Sequence, residues 1–348
     1  MLEEDFNLDF LIVSDAKNIG PVSTLLYQLK ELHKSDSIHV HIIVPSIRDA
    51  EYFKSSLIYF NLDLDIIVFG EPEPNEVKKF FIEKNSVPEI AYAKIFAPKL
   101  LPISVKKVVY LDTDILILKS LRTLFELKFE ASMAAAIDAS EGLVGELENA
   151  FNSGVMVMDL DKMRKKWSDC LLIDAFQKNV ESRWMDMTIL RSIYKNDWYE
   201  LPTSFNFIIN GHDQKYFEEH EITLIHFAGG IKPWAEKSDS IFFAMWIWLS
   251  GRASQIARGD EVEGGQYSDL LAYIYPTMNN LYHQICRNQL DYSWKSINSE
   301  LSKTQAELSK TQAELQMIQE SRTWRIFGGY RFIKGLNSPQ SLKKDFTR

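Results

Sequence analysis

The sequence predicts an α/β protein built on a mostly parallel sheet, and two features carry this prediction. Short β-branched runs recur through the first half of the chain, and segments with apolar residues three and four positions apart separate them. Because parallel strands are joined by helical crossovers, this alternation indicates a sheet covered by helices on both faces. Ligands of such sheets bind beyond the carboxyl ends of the strands.

The predicted elements follow one another in the order that this architecture requires. Strands are expected at 10–14, 38–45, 63–69, 106–112, 133–138 and 154–160. Helices are expected at 22–34 and 48–60, and the helical pattern "YAKIFAPKLL" comes directly before the fourth strand.

Composition and charge narrow the classes of function. The 348 residues, 46% of them hydrophobic, suffice for one large core and an appendage. The formal charge of −9 argues against a nucleic-acid partner, because phosphate-binding surfaces are basic. The opening "MLEEDFNLDF" lacks the features of a secretory signal, and Cys170 and Cys286 lack the spacing of a disulfide framework or a zinc site. We therefore expect a cytoplasmic protein.

The stretch "KKVVYLDTDILIL" (106–118) sets two aspartates into an apolar run. Residues 108–111 indicate a buried strand, so Asp112 and Asp114 should emerge at its carboxyl end. Two carboxylates separated by one residue can converge on a hard cation that keeps positions free for phosphate oxygens, and without a cation they are expected to repel each other. The structural alternative is that one aspartate caps the next helix and the other is solvated.

A second enzyme class also uses such an aspartate pair. Phosphatases of the haloacid-dehalogenase type place it after an apolar strand, with the first aspartate as nucleophile. That motif usually has Thr or Val where this chain has Leu116, and it belongs on the first strand of its domain. Three strands are predicted before this one, which disfavours the phosphatase.

Four further motifs follow in order: "FNSGVMVMDL" (151–160), "DMTIL" (186–190), "LPTSFN" (201–206) and "HFAGGIKPW" (226–234). With the aspartate pair they resemble glycosyltransferase family 8, the glycogenin-like family that includes bacterial lipopolysaccharide galactosyl- and glucosyltransferases. The resemblance covers about residues 8–235. It implies a GT-A type, Rossmann-like nucleotide-sugar-binding fold over 1–235. It also implies retaining, metal-dependent transfer of a hexose, glucose or galactose, from a UDP-sugar to a bacterial surface glycan or lipid-linked saccharide.

The resemblance also implies roles for individual residues. Asp112, Asp114 and His226 would hold Mn²⁺ or Mg²⁺, a donor set that suits a divalent ion of intermediate hardness. Gly229 and Lys232 would meet the diphosphate, and Lys232 would stabilise its departure. Asp15 would lie near the uracil, although "DAKNI" lacks the aromatic residue usual there. The remaining donor-site residues are Lys94, Thr113, Asp138, Asn152 and Ser153, of which Asn152 and Ser153 are expected in a polar turn before a strand.

The motif at 186–190 departs from the family pattern. Family members commonly carry Asp-Gln, with the aspartate on sugar hydroxyls and the glutamine near the anomeric carbon, whereas this chain has Asp186 and Met187. Methionine lacks the hydrogen-bonding groups of an amide, so this motif does not determine the identity of the donor sugar or the rate of transfer. We expect front-face retention without a protein nucleophile. The alternative is a catalytically weak, UDP-sugar-binding scaffold protein.

The chain changes character after about residue 235. Residues 236–298, with the apolar run "IFFAMWIWL" (241–249), predict a helical extension that packs on the catalytic domain or forms an acceptor-side subdomain. "SKTQAEL" occurs twice within 299–320, which predicts a helical spacer that either self-associates weakly or stays a solitary helix. Residues 321–348 hold seven Lys or Arg against one acidic residue, with aromatic residues between them. We expect this tail to bind peripherally to anionic membrane. The alternatives are a disordered C-terminal end or a segment that docks on the acidic catalytic domain.

Overall fold

The computed structural model describes residues 7–70, 77, 89–138, 150–179, 185–208, 222–230, 232–234, 241–262, 267 and 271. The heptad segment 299–320 and the basic tail 321–348 lie outside the described residues, as does most of 236–298. The division of the chain into four parts therefore stays a prediction.

The central sheet has seven strands. They are β1 (Asn7–Val13), β2 (Ser37–Val44), β3 (Asp63–Val68), β4 (Lys107–Leu111), β6 (Met133–Ile137), β7 (Phe151–Asp159) and β8 (Trp198–Leu201). Their spatial order is β3-β2-β1-β4-β7-β6-β8. All neighbours pair in parallel except β7, which runs antiparallel to both β4 and β6. The prediction of a mostly parallel sheet is thus confirmed.

Eight α-helices occur among the described residues. They are α1 (Ile19–Leu32), α2 (Ile47–Leu57), α3 (Ala97–Leu100), α4 (Arg122–Glu126), α5 (Leu160–Lys166), α6 (Asp169–Lys178), α7 (Met185–Ile193) and α8 (Ile241–Ala257). Segments of 3-10 helix occupy Ala16–Asn18, Ile58–Phe60, Glu89–Phe96 and Thr203–Phe205. Both predicted crossover helices, at 22–34 and 48–60, are present.

The sheet is covered on both faces, and each face has its own apolar layer. Phe10, Ile12 and Val40 point into the layer that α1, α2 and α8 cover, whereas Leu11 and Ile43 point into the opposite layer. Neighbouring residues of one strand therefore enter different cores, as expected where side chains alternate across a sheet. Burial of each large aliphatic side chain contributes about 1.5 to 3 kcal/mol.

A second, three-stranded sheet lies at the carboxyl end of β4. It consists of β5 (Ile115–Ile117), β9 (Phe207–Ile208) and β10 (Leu224–His226), in the order β5-β10-β9. The buried amide of Gln28 on α1 binds one edge of β5: Nε2 donates to the Ile115 carbonyl at 3.2 Å, and Oε1 accepts from the Ile117 amide at 2.7 Å. These two hydrogen bonds attach β5, which follows the aspartate pair, to α1.

The position of Asn152 and Ser153 differs from the prediction. Both were expected in a polar turn before a strand, but both lie inside β7 and are buried. Their polarity was misleading because eight of the nine residues of β7 are buried, so this strand has no alternation of polar and apolar residues. The antiparallel direction of β7 depends on non-local pairing and has no local signal either.

The pattern "YAKIFAPKLL" (92–101) was expected to form a helix and does so only in part. Its first half belongs to the 3-10 segment Glu89–Phe96, and α3 begins at Ala97. Pro98 explains the break, because its ring clashes with the carbonyl four residues earlier and it has no N–H to donate. Proline is tolerated in the first turn of a helix, which is where Pro98 lies in α3.

The apolar run at 241–249 belongs to α8, which packs against α1. Phe243, Trp246 and Leu249 are buried in the same apolar layer as α1. Helix α8 thus packs on the sheet domain, and the predicted role of the whole segment 236–298 stays a prediction. Within the part of the chain that the structure describes, no helix has both the length and the apolar character of a membrane span.

Candidate active site

Asp112 and Asp114 lie in the short connection between β4 and β5, at the carboxyl end of the buried strand, as predicted. The backbone amide of Asp112 donates to the carbonyl of Gly154 at 2.8 Å, which attaches the connection to β7. The side chain of Asp112 is 30% exposed, whereas that of Asp114 is 8% exposed. A ligand from solvent therefore meets Asp112 first.

His226 reaches both aspartates because β10 pairs antiparallel with β5, which places His226 opposite Ile115. Its Nε2 lies 3.3 Å from Oδ1 of Asp114 and 3.6 Å from Oδ2 of Asp112. Ligand atoms of these three residues all lie within 4.8 Å of one another. Two carboxylate oxygens and one imidazole nitrogen form a donor set that suits Mn²⁺ or Mg²⁺. The structure thus brings together the three residues predicted to hold a metal.

A chain of side-chain amides sets the orientation of His226. Asn206 Nδ2 donates to Oδ1 of Asn152 at 2.9 Å, so the carbonyl oxygen of Asn206 points the other way, 2.9 Å from Nδ1 of His226. An amide oxygen only accepts, so Nδ1 carries a proton, and Nε2 is the nitrogen that faces the two aspartates and is left to bind a metal. This is the tautomer that a metal requires. The role of Asn206 was missed, although the motif "LPTSFN" contains it.

Asn152 was predicted to bind the donor sugar, and its Oδ1 instead makes contacts inside the protein. Besides the bond from Asn206, this oxygen accepts from the backbone amide of Gly154 at 2.9 Å. The carbonyl end of Asn152 therefore supports the chain of amides behind His226. A contact between its Nδ2 and the sugar stays a prediction.

Gly154 is a second residue that the sequence did not single out. A Cβ at this position would lie 2.1 Å from Cε1 of His226 and 3.0 Å from Oδ2 of Asp112. Any larger residue would therefore displace the imidazole or the carboxylate. The absent side chain of Gly154 provides the space in which the metal-type ligands meet.

Lys94 lies in the middle of a buried polar cluster beside Asp112. Its Nζ is 2.8 Å from Oδ2 of Asp186, 3.5 Å from Oδ1 of Asp112 and 3.3 Å from Oγ of Ser153. Burial lowers the pKa of Lys94, but Asp112, Asp186 and Tyr110 outweigh it, so its pKa is raised well above the ordinary value. Lys94 therefore stays charged at the edge of the metal-type cluster. Three predicted donor-site residues thus lie together with Asp186, which was predicted to be catalytic.

Lys232 pairs with the other motif aspartate. Its Nζ contacts Oδ2 of Asp114 and donates to the Phe227 carbonyl at 3.0 Å. Burial raises the pKa of Asp114, but His226 and Lys232 outweigh it and hold that pKa well below its usual range. Each motif aspartate therefore has its own lysine in the ligand-free protein. The expected repulsion between the two carboxylates is offset by these cations.

Asp138, which was predicted to contact the donor sugar, forms an ion pair with Arg191 on α7. Its Oδ2 accepts from Arg191 at 2.7 Å, and Arg191 Nε donates to the carbonyl of Phe151 at 2.8 Å. Both side chains are buried. Arg191 thus connects the end of β6, the start of β7 and α7, which also carries Asp186. This residue was missed by the sequence analysis.

The other predicted residues lie in turns. Asp15 caps the 3-10 segment Ala16–Asn18, and its Oδ1 accepts from the amide of Lys17 and from Nδ2 of Asn18, both at 3.0 Å. Gly229 has φ of 86°, a conformation that favours glycine, and a Cβ there would meet no atom within 4 Å. Thr113 lies half-buried between the two aspartates. Their predicted contacts with a nucleotide stay predictions.

Met187 follows Asp186 on α7 and is 9% exposed. Asp186 turns toward Lys94 and Ser153, whose Oγ donates to Asp186 at 3.4 Å. Met187 is thus one residue from the cluster, and its thioether brings no hydrogen-bond donor to it.

Comparison with known proteins identifies the family. Residues 7–238 match the family described as "Glycosyl transferase family 8". The match spans most of the chain, and the chain therefore belongs to glycosyl transferase family 8. Family membership confirms the resemblance predicted from the motifs and rules out the phosphatase alternative.

The relatives include bacterial glycosyltransferases. Glycosyltransferase GlyB of Streptococcus pneumoniae is 27% identical over 183 residues, which cover 49% of this chain and 44% of that protein. Lipopolysaccharide 1,2-glucosyltransferase of Escherichia coli is 27% identical over 167 residues, 41% of this chain and 48% of that protein. The match spans less than half of each of these two relatives.

Solved structures share the fold. The galactosyltransferase LgtC, in complex with donor and acceptor sugar analogues, aligns with a TM-score of 0.56 at 18% identity, covering 75% of this chain and 99% of that one. GlyE of Streptococcus pneumoniae aligns with a TM-score of 0.54 at 22% identity, covering 73% of this chain and 63% of that one. The predicted GT-A fold is confirmed.

Proposed function

We propose that this chain is a retaining hexosyltransferase that moves glucose or galactose from a UDP-sugar to a bacterial surface glycan or lipid-linked saccharide. The observation that carries the proposal is the convergence of Asp112, Asp114 and His226, with Lys94 and Lys232 beside them, at the carboxyl ends of the strands. Ligands of α/β sheets bind at this edge.

The donor set fits a divalent cation, and Mn²⁺ or Mg²⁺ is the proposed cofactor. Asp112 and Asp114 would supply carboxylate oxygens, and His226 would supply Nε2, whose lone pair is set by Asn206. When bound, such an ion neutralises the negative charge that grows on the departing diphosphate. Lys232 would add a second positive charge at the same place.

The side chains support transfer without a covalent sugar–protein intermediate. In this reaction the bond from the anomeric carbon to the diphosphate oxygen breaks, and a bond to the acceptor hydroxyl oxygen forms on the same face. The hydroxyl proton passes to the departing diphosphate. Asp186 is the carboxylate assigned to the sugar, and its ion pair with Lys94 at 2.8 Å lowers its nucleophilicity. Its proposed role is to hold sugar hydroxyls, with Asp138, Asn152 and Ser153.

The relatives support the choice of acceptor and hexose. One is named a lipopolysaccharide 1,2-glucosyltransferase, and LgtC is a galactosyltransferase. We extend these names to this chain as a proposal, together with a cytoplasmic location and a peripheral contact of 321–348 with anionic membrane. Nucleic acid is not among the proposed partners, because the formal charge is −9.

A panel of UDP-sugars tests the proposal. Purified protein is incubated with UDP-glucose, UDP-galactose and their N-acetylated analogues, with Mn²⁺ or with a chelator, and release of UDP is measured. We expect one of the two hexose donors to be turned over with the metal and not with the chelator. Turnover at full rate in the chelator would overturn the metal assignment, and exclusive use of an N-acetylated donor would overturn the choice of hexose.

The alternative function is a UDP-sugar-binding scaffold, and Met187 is the observation that favours it. The two functions differ in turnover. A scaffold binds UDP-sugar and metal, which calorimetry detects, but releases no UDP in the presence of any acceptor. Binding without release across the whole panel would favour the scaffold.

A further inference from the structure

A second cluster of metal-type ligands lies on the sheet, away from the candidate active site. Asp9 is on β1, and His39 and His41 are on the adjacent strand β2. The ligand atoms of these three residues lie within 4.8 Å of one another. The register of β1 with β4 pairs Phe10 with Val109, so Asp9 lies roughly 13 Å before Asp112 along the strands. This cluster is therefore a separate site.

Alternation along the strands brings the three side chains to one face. His39 and His41 are two residues apart on β2, and β1 pairs with β2 so that Asp9 is directly opposite His39. The same face continues with Leu11 and Ile43, which are buried under the helices. The apolar cover therefore ends where the polar cluster begins, near the amino ends of the strands.

Two imidazole nitrogens meet a single carboxylate oxygen. Nδ1 of His39 lies 3.1 Å and Nε2 of His41 lies 3.3 Å from Oδ1 of Asp9. The two rings are close, with centroids 4.1 Å apart. One oxygen and two nitrogens that already face one another need little rearrangement to share a cation.

Asp65 supports this arrangement from the other side. Its Oδ2 lies 3.4 Å from Nδ1 of His41, whose Nε2 faces Asp9. A neutral imidazole has one N–H, so it can donate to only one of these two carboxylates. With the proton on Nδ1 toward Asp65, the lone pair of Nε2 faces the Asp9 oxygen, an unfavourable contact unless a cation lies there. A carboxylate behind a histidine is the arrangement that orients metal-bound histidines.

The geometry points to a second divalent-metal site formed by Asp9, His39 and His41, with Asp65 as a positioning residue. Two imidazoles and one carboxylate favour a borderline ion such as Zn²⁺, whereas the two carboxylates at the active site favour a harder ion. His41 is fully buried, but His39 and Asp9 keep 23% and 16% exposure, so an ion can enter from solvent. The bound ion would link β1 to β2 and stabilise the sheet.

Zinc titration of full-length protein carrying Asp112→Asn and Asp114→Asn tests this inference, because that background weakens metal binding at the active site. Calorimetry at pH 8 should show one saturable Zn²⁺ site, and Zn²⁺ should raise the melting temperature. In the same background, His39→Gln should weaken Zn²⁺ binding at least tenfold, and Asp65→Asn should weaken it about tenfold. Both changes are at partly exposed side chains, which limits the effect on folding.

Asp63→Asn provides the matched control. Asp63 is an exposed residue on β3, opposite His39 in register, and it is not a proposed ligand. Its substitution removes one negative charge from β3, as Asp65→Asn does, and should change Zn²⁺ affinity less than about twofold. The inference is overturned if the double variant has no saturable site, or if His39→Gln binds Zn²⁺ as tightly as its parent.

Discussion

Oδ1 of Asn206 lies 2.9 Å from Nδ1 of His226, and this contact fixes which imidazole nitrogen is free to bind a metal. The pairing of β9 with β10 brings the two residues together, because Asn206 directly precedes β9 and His226 ends β10. The three-stranded sheet therefore builds both the proposed ligand and its support. Removal of the support should weaken metal binding even though Asn206 is not a ligand.

Asn206→Leu tests this relationship. We expect the affinity for Mn²⁺ to fall about 10- to 100-fold, because the buried Nδ1–H loses its acceptor and the ring can turn. Calorimetry with Mn²⁺ in the presence of UDP measures the effect. Asn206→Asp is the comparison variant: it keeps an oxygen for Nδ1–H, although its other oxygen faces Oδ1 of Asn152, so it should lose less Mn²⁺ affinity than Asn206→Leu does. Equal affinities for Asn206→Leu and wild type would show that the contact has no role in orienting His226.

Gly154→Ala should damage the same site sterically. The new Cβ would lie 2.1 Å from the His226 ring, so the ring or β7 must move, at a cost of about 1 to 3 kcal/mol in stability. We expect a folded protein with strongly weakened Mn²⁺ binding, measured by thermal unfolding and by metal titration. Gly20→Ala is the control, because a Cβ at Gly20 meets no atom within 4 Å. If Gly154→Ala binds Mn²⁺ as well as Gly20→Ala does, the packing argument is wrong.

Lys232→Met should change two affinities in opposite directions. Lys232 neutralises Asp114 in the ligand-free protein, so its removal should tighten Mn²⁺ binding in the absence of nucleotide. The same change should weaken UDP binding and slow transfer at least tenfold, because the departing diphosphate loses a positive charge. Metal titration and UDP-release kinetics together measure this. A parallel fall in both affinities would indicate that Lys232 only supports the fold.

Met187→Gln tests the departure from the family pattern. An amide restores a hydrogen-bonding group one residue after Asp186, so the donor profile or the rate should change. The affinity for UDP alone should stay nearly unaltered, because the position is expected to face the sugar. Competition binding with UDP and a donor panel measure the two effects. A fall in UDP binding as large as the fall in transfer would make Met187 a packing residue.

Much of the fold could be predicted because its signals are local. The β-branched runs of β1 to β3 and the helical spacing of α1 and α2 lie within single segments. The position of Asp112 and Asp114 followed from the same reasoning, since they end an apolar run. His226 is more than a hundred residues away, and only the resemblance to a family linked it to them.

The rest depends on contacts between distant segments. Lys94 was assigned to the donor site only through the resemblance, and its role as a buried counter-ion depends on the approach of Asp112 and Asp186 from distant segments. The role of Gly154 depends on the position of His226, because the lack of a Cβ at Gly154 leaves the space that the imidazole occupies. His39 and His41 did carry a local signal, the spacing His-x-His on a strand, which places both rings on one face.

The proposal that Asp112, Asp114 and His226 hold a catalytic metal is tested most directly by UDP release from Asp112→Asn at saturating Mn²⁺. Asp112 is the better choice than Asp114, because its partner Lys94 keeps Asp186 as a counter-ion, so the melting temperature measured in a chelator should stay close to that of wild type. We predict at least a hundredfold loss of UDP release, about 2.7 kcal/mol of transition-state stabilisation. Activity equal to wild type, or full wild-type activity in the chelator, would contradict the metal-dependent mechanism.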